Sequence, residues 1–202
     1  INASYTYGMS KDMNSGGSSR AISNWRYNPT TGNPNNPELG YSSHDTRHRI
    51  VLAMSKKFNF FKGAPTTFSL FFNARSGHPY SSIYYNDVNG DGQANDLIWV
   101  PANEDDIILT KGSWEELDKY ISDDPGLDDY RGEIVPRNSS RDPWSAHLDL
   151  KLSQHIPIPG LKGHKIEIFV TVANFLNMFN KDWGVYRYIQ FDDSPLTFMG
   201  YD

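Results

Sequence analysis

Asp87, Asn89 and Asp91 stand at alternate positions, Gly90 and Gly92 are interleaved with them, and Gln93, Asn95 and Asp96 follow at once. Hard cations want oxygen ligands recurring along a loop and a glycine where the chain must turn sharply, which is the spacing of a calcium loop. On this reading Asp87, Asn89 and Asp91 supply side-chain oxygens, Gln93 supplies its carbonyl, and Asn95 or Asp96 makes the next contact. Ile98 occupies the place where a bidentate Glu ordinarily closes such a loop, so a further ligand must come from the surrounding acidic stretch or from water. The competing reading is an Asx-rich turn whose side chains bond their own backbone.

Catalytic constellations are missing. The sequence holds no Gly-x-Ser-x-Gly elbow, no cysteine, no His-Glu-x-x-His and no phosphate loop, so no enzymatic activity is expected. His44 and His48 are four apart, but in a segment that reads as a loop entering a strand, where that spacing does not make a zinc pair. His147 and Asp149 share one side of a strand and could hydrogen-bond there, beside Lys151. Arg47, Arg49, Lys57 and Arg75 fit a polar wall of the same kind.

The elements that must carry these groups are strands. Ala146, Leu148, Leu150 and Leu152, with Trp144 before them, alternate with Ser145, His147, Asp149, Lys151 and Ser153. The same period of two runs through Ile1 to Ser10 and through Thr46 to Asn59, where Ile50, Leu52, Met54 and Phe58 oppose Arg47, Arg49, Ser55, Lys57 and Asn59. Thr66 to Arg75 and Lys165 to Asn174 repeat it. A strand turns successive side chains to opposite faces, so each of the five has one apolar and one wet side. With no long helix between them, antiparallel pairing follows.

Connection lengths alternate. They run to about 35, 6, 65 and 10 residues, against ordinary connections of about 4 to 6. Transmembrane barrels show this asymmetry, with tight periplasmic turns and long outer loops. The tight turns would be Phe61 to Pro65 and Pro157 to Gly163. A soluble sandwich also alternates apolar and polar residues, and the loop pattern is what favours the barrel. Five strands cannot close a membrane barrel, which needs at least about eight, so neighbouring strands are expected elsewhere in a longer polypeptide. No signal peptide is seen; Ile1 lies within a strand pattern and Asp202 within a loop-like stretch.

Composition agrees. Hydrophobic content is 38% and no run of 18 apolar residues occurs, which excludes a helical membrane protein. Without cysteine there is neither a disulfide framework nor a thiolate metal site. From Asp87 to Glu133 the chain has 14 Asp and Glu against only Lys111, Lys119 and Arg131, within an overall net charge of −5. That balance disfavours nucleic acid. Inside the acidic loop, Ser113 with Glu116 has the capping-box form, and Trp114, Leu117, Tyr120 and Ile121 share a face of a short helix ended by Pro125-Gly126. This helix is expected to lie as a lid over the outer end of the sheet. The earlier loop, Gly16 to Gly40, shows no helical period and reads as exposed loop around Trp25 and Tyr27.

Three blocks carry a family resemblance: Asp87 to Pro101, Arg137-Asn138-Ser139-Ser140-Arg141-Asp142-Pro143-Trp144, and Asn174-Phe175-Leu176-Asn177-Met178-Phe179-Asn180-Lys181-Asp182-Trp183-Gly184. Together they resemble the C-terminal barrel portion of TonB-dependent outer-membrane receptors, most closely the Oar-like group of Bacteroidetes and related Gram-negative bacteria. The resemblance implies an antiparallel transmembrane barrel of about 22 strands with a plugged lumen. Residues 1–202 would be a partial C-terminal barrel domain of about five strands, without plug, TonB box or final strand. It further implies uptake of a nutrient across the outer membrane, with the lipid bilayer, the plug, the TonB complex and a surface lipoprotein as partners. The rival expectation is a secreted calcium-binding β domain, a carbohydrate-binding or dockerin-like adhesion module. Dockerins carry two such loops on helices, whereas here one loop lies between strand-like flanks.

Overall fold

The computed structural model describes residues 1–161 and 163–201. Lys162, in the second expected turn, and Asp202 lie outside the described residues. The chain divides into a sheet unit of Ile1–Gly8, Thr46–Ser76 and Pro143–Arg187, and a loop unit of Met9–Asp45, Gly77–Asp142 and Tyr188–Asp202.

The sheet unit holds β1 (Asn2–Tyr7), β2 (His48–Phe61), β3 (Ala64–Arg75), β4 (Ser145–Pro157) and β5 (Lys165–Val172). They pair in chain order, every pair antiparallel. All five expected strands form, with ends shifted by a few residues where neighbouring strands supply or withdraw hydrogen-bond partners. The sheet is open: β1 and β5 each pair on one side only among the described residues. Between β2 and β3 the chain reverses over Lys62-Gly63, and Gly63 takes φ of 74°, a conformation that side-chain-bearing residues resist.

Register aligns the two sides of the strands into two faces. Leu52, Phe72 and Leu148 form one row, and Met54, Leu70, Leu150 and Val172 the next. A third runs Lys56, Phe68, Leu152 and Val170, so one lysine lies in the apolar set. The opposite face carries the row Ser55, Ser69, Lys151 and Thr171, but Val51, Ala53 and Phe71 also lie on it.

The loop unit owns the buried apolar cluster of Leu97, Ile98, Val100, Ile121, Leu127 and Val135, against which Ile83, Tyr84, Leu117, Tyr120 and Tyr130 pack. Among the described residues three α-helices form: α1 (Ala21–Arg26), α2 (Trp114–Ser122) and α3 (Pro125–Asp128). Ser113 accepts from the Glu116 N–H and Glu116 from the Ser113 N–H, so α2 begins where its capping box places it. Its apolar face, through Ile121 and Leu117, covers the core of its own unit.

Two expectations are corrected. Residues 21–26 of the supposed structureless loop are helical; α1 has no side-chain cap and no acidic first turn, so it left no signature. Pro125-Gly126 does not simply end α2; Pro125 opens α3, where its missing N–H costs nothing, and Asp124 caps it through the Gly126 N–H.

Candidate functional site

In the Asp87–Asp96 loop the carboxylate of Asp87 accepts the N–H groups of Gly90 (2.8 Å) and Gly92 (2.7 Å). Asn89 Oδ1 accepts from the Asp91 N–H, and Asp91 Oδ1 from the Gln93 N–H. Asp96 Oδ1 accepts from Asn89 Nδ2 and its other oxygen from the Val88 N–H, so the loop is closed by its own side chains. Gly90 supports this turn at φ of 78°. Asn95 is buried and donates to the Arg26 carbonyl, while its Oδ1 has no hydrogen-bond partner among the described residues. Burial raises the Asp96 pKa, and the nearby charges of Asp91 and Asp87 push it the same way.

Of the expected ligand set, Asp87, Asn89, Asp91 and Asp96 are thus brought into one network, and Asn95 lies beside it in sequence with a different partner. Among the described residues no group of three or more His, Asp or Glu side chains converges at metal-binding distance. The donor chemistry nonetheless fits a hard cation, being all oxygen, with carboxylates whose mutual repulsion a cation would relieve.

The sheet's apolar face has no layer over it in its own unit. Leu152 is 51% exposed, Ile168 56% and Val170 61%, and Pro65 and Ala74 are the sheet unit's buried apolar residues among those described. Aromatic rings gather at both ends of the strands. At the loop end the Tyr5 hydroxyl meets His48 Nδ1 at 2.9 Å, and the His48 ring stacks on Trp144 at 5.7 Å. At the turn end Phe58 stacks on Phe60 at 5.2 Å. Gln154, a polar intrusion in the apolar face, spends its amide on Thr66, the Ala64 carbonyl and the His155 carbonyl.

The polar face is dished around a trough of about 490 Å³ whose lining includes Ser55, Ser69, Phe71, Lys151 and Thr171. Arg49, Lys57 and Arg75 lie on this face, while Arg47 precedes β2. Asp149 does not bond His147: it accepts the Asn174 N–H at 2.8 Å.

Sequence reasoning missed a buried polar network in the loop unit. Arg137 reaches Asp12 at 2.6 Å, and Arg141 reaches Asp45, whose side chain is almost wholly buried. Asn138 donates to the Tyr41 carbonyl, and its backbone N–H donates to Ser81 Oγ. Tyr80 donates to Asp124 and Tyr120 to Asp193, contacts which, after burial, raise both phenol pKa values. The partners lie far apart in sequence, so no local spacing could reveal them; the run of polar types from Arg137 to Asp142 was the available signal. Trp25, around which the first long loop was expected to lie, donates its indole N–H to Asn35.

Comparison of the chain with protein-family models, with curated proteins and with solved structures gives no match.

Proposed function

We propose that this chain is part of the wall of an outer-membrane barrel of a Gram-negative bacterium, in a TonB-dependent receptor that takes up a nutrient. The observation that carries the reading is the uncovered apolar face of the five-stranded sheet, bounded by rings at both ends. Burying such rows is the dominant favourable contribution in water, and a sheet that leaves them open must meet another apolar medium or partner. Strands β2, β3 and β4 run 14, 12 and 13 residues, more than the about 9–11 that a tilted strand needs to cross a bilayer. Edge strands β1 and β5 are shorter, and in lipid their unpaired backbone groups would demand further strands of the same receptor. The dished polar face would line the lumen.

Calcium belongs to the same proposal. Asp87, Asn89, Asp91 and Asp96, with the Gln93 carbonyl and Asn95, would hold it, and it would fix the loop against its own conformational entropy. The expected outcome is faster proteolysis within residues 77–142 of the intact receptor when a calcium chelator is added. Unchanged cleavage would remove the metal from the account.

The test of the wall itself uses the absence of cysteine from the chain. Single cysteines at Leu152 and Val170, and at Lys151 and Thr171, are introduced into the parent receptor in lipid vesicles. Fluorophores at 152 and 170 should be quenched by acyl-chain nitroxides, while 151 and 171 should react only with water-soluble thiol reagents. If 152 and 170 prove water-accessible or shielded by protein, the chain is instead a soluble module such as the secreted calcium-binding β domain.

A further inference from the structure

On the polar face, Arg49 and Arg75 are direct cross-strand partners in the β2–β3 register. Residues opposite each other in an antiparallel pair have Cα atoms only about 4.5 to 5.5 Å apart, and like charges so placed repel. Ordinarily a carboxylate nearby relieves that repulsion. Here neither guanidinium has an ion-pair partner among the described residues. Arg49 donates through Nε to Asn73 Oδ1 at 3.1 Å, a neutral acceptor, and Arg75 lies over the Tyr186 ring at 5.0 Å. Both contacts orient a guanidinium without neutralising it. The nearest carboxylate on this face, Asp149, lies opposite Phe71 and is bound to the Asn174 N–H. Lys151, further along, is offset by Glu167 at 3.8 Å.

We propose that Arg49 and Arg75 form a clamp for the oxyanion group, carboxylate or phosphate, of a small solute. Two adjacent planar forks, each fixed by a neighbour, match the two or three oxygens of such a group better than lysines would. Asn73 is the next residue beyond Arg75 on this face of β3, and His147 lies opposite Asn73 on β4, placing two further polar groups beside the bound anion. The site stands on the strand register and is independent of whether the apolar face meets lipid.

The experiment is arginine modification by phenylglyoxal, resolved residue by residue by mass spectrometry, on the folded full chain. Exposed Arg20, in the loop unit, is the internal reference. Inorganic phosphate and succinate are compared with chloride at equal ionic strength. Phosphate or succinate should slow modification of Arg49 and Arg75 together by at least about fivefold while leaving Arg20 unchanged, as expected for charge-assisted bidentate contacts. In Arg49→Gln the protection of Arg75 should fall away, and Arg75→Lys, which keeps the charge, should still weaken protection of Arg49 because the fork is lost. Equal protection by chloride, or protection of Arg20 to the same degree, would reduce the effect to screening and overturn the proposal. Protection of both arginines with no anion added would assign their counter-ion to the polypeptide and overturn it equally. None of these outcomes depends on the lipid-quenching result.

Discussion

Asp45 shows how much of the loop unit rests on single charges. Its carboxylate is buried, accepts the Ser10 N–H at 2.6 Å and is paired with Arg141. Arg141→Ala withdraws an ion-pair partner from this buried charge and is expected to cost up to about 3 kcal/mol, whereas Arg187→Ala, which breaks an exposed pair with Asp182, should cost at most about 1. Thermal unfolding of the two variants side by side checks this. Asp192 gives a pH dependence of defined sign. Burial raises its pKa to about 6, against the opposing effects of Ser81 hydrogen bonds and the Arg137 charge. The folded state therefore holds this proton more tightly than the unfolded chain does. Its contribution to stability is complete below the ordinary carboxylate value near 3.8 and is lost as pH rises through about 6. Asp192→Asn should accordingly match the parent at acid pH and exceed it at pH 7, read from hydrogen exchange of residues 188–201. Equal differences at both pH values would contradict the assignment. The Asp45 and Asp192 pairings could not be read from the chain, because each joins residues separated by long loops. Asn174 is the intermediate case: its block was visible, but its work was not. It takes a left-handed φ of 52°, bonds Asp149 through its N–H and reaches the Gly184 carbonyl, so the motif is a hook closing the stretch after β5.

Among the elements, those with strong local physics were legible and those held by tertiary contact were not. The five strands announced themselves by alternation, and α2 by its capping box and apolar face. α1 has six residues and no side-chain cap, and short helices of that kind survive only through surrounding contacts. α3 is tied to Asp124 and to close packing: a Cβ on Gly126 would come within 2.5 Å of Ser140 Cα. The obstacle is backbone, which cannot rotate aside, and Gly126→Ala should destabilise the loop unit by about 1 to 3 kcal/mol or more. Ser113→Ala loses only the α2 cap and should cost about 1 kcal/mol, confined to the first turn of that helix. Hydrogen exchange separates them. Gly126→Ala should loosen amides across the cluster of Leu97, Leu127 and Val135, while Ser113→Ala should loosen residues 114–117 alone.

At the scale of the molecule the decisive property is that burial and alternation part company. A soluble sheet with these rows would place them under a second layer, yet the buried apolar cluster of this chain lies in the loop unit and the sheet's rows stay open. The sequence showed the rows but not what covers them, since alternation is the same whether a strand faces protein or hydrocarbon. Strand β4 offers a way to tell. Leu152 near its middle and Ile156 near its turn are 51% and 43% exposed, so area alone predicts similar, small effects of a charge at either position. In water each arginine substitution should fall within about 0.5 kcal/mol of neutral, as surface changes usually do. In a bilayer depth matters: arginine at the midplane of a barrel's lipid face costs about 2 to 4 kcal/mol, and near the interface about 0 to 1, where the side chain can snorkel to water. Lys56, the one lysine in the apolar set, shares the row of Leu152, so in a bilayer its long side chain would have to snorkel along the face to reach water. Leu152→Arg should therefore destabilise the parent receptor in vesicles by at least about 2 kcal/mol more than Ile156→Arg, measured by reversible unfolding in denaturant. Equal costs at the two positions would mean that no hydrocarbon lies against this face.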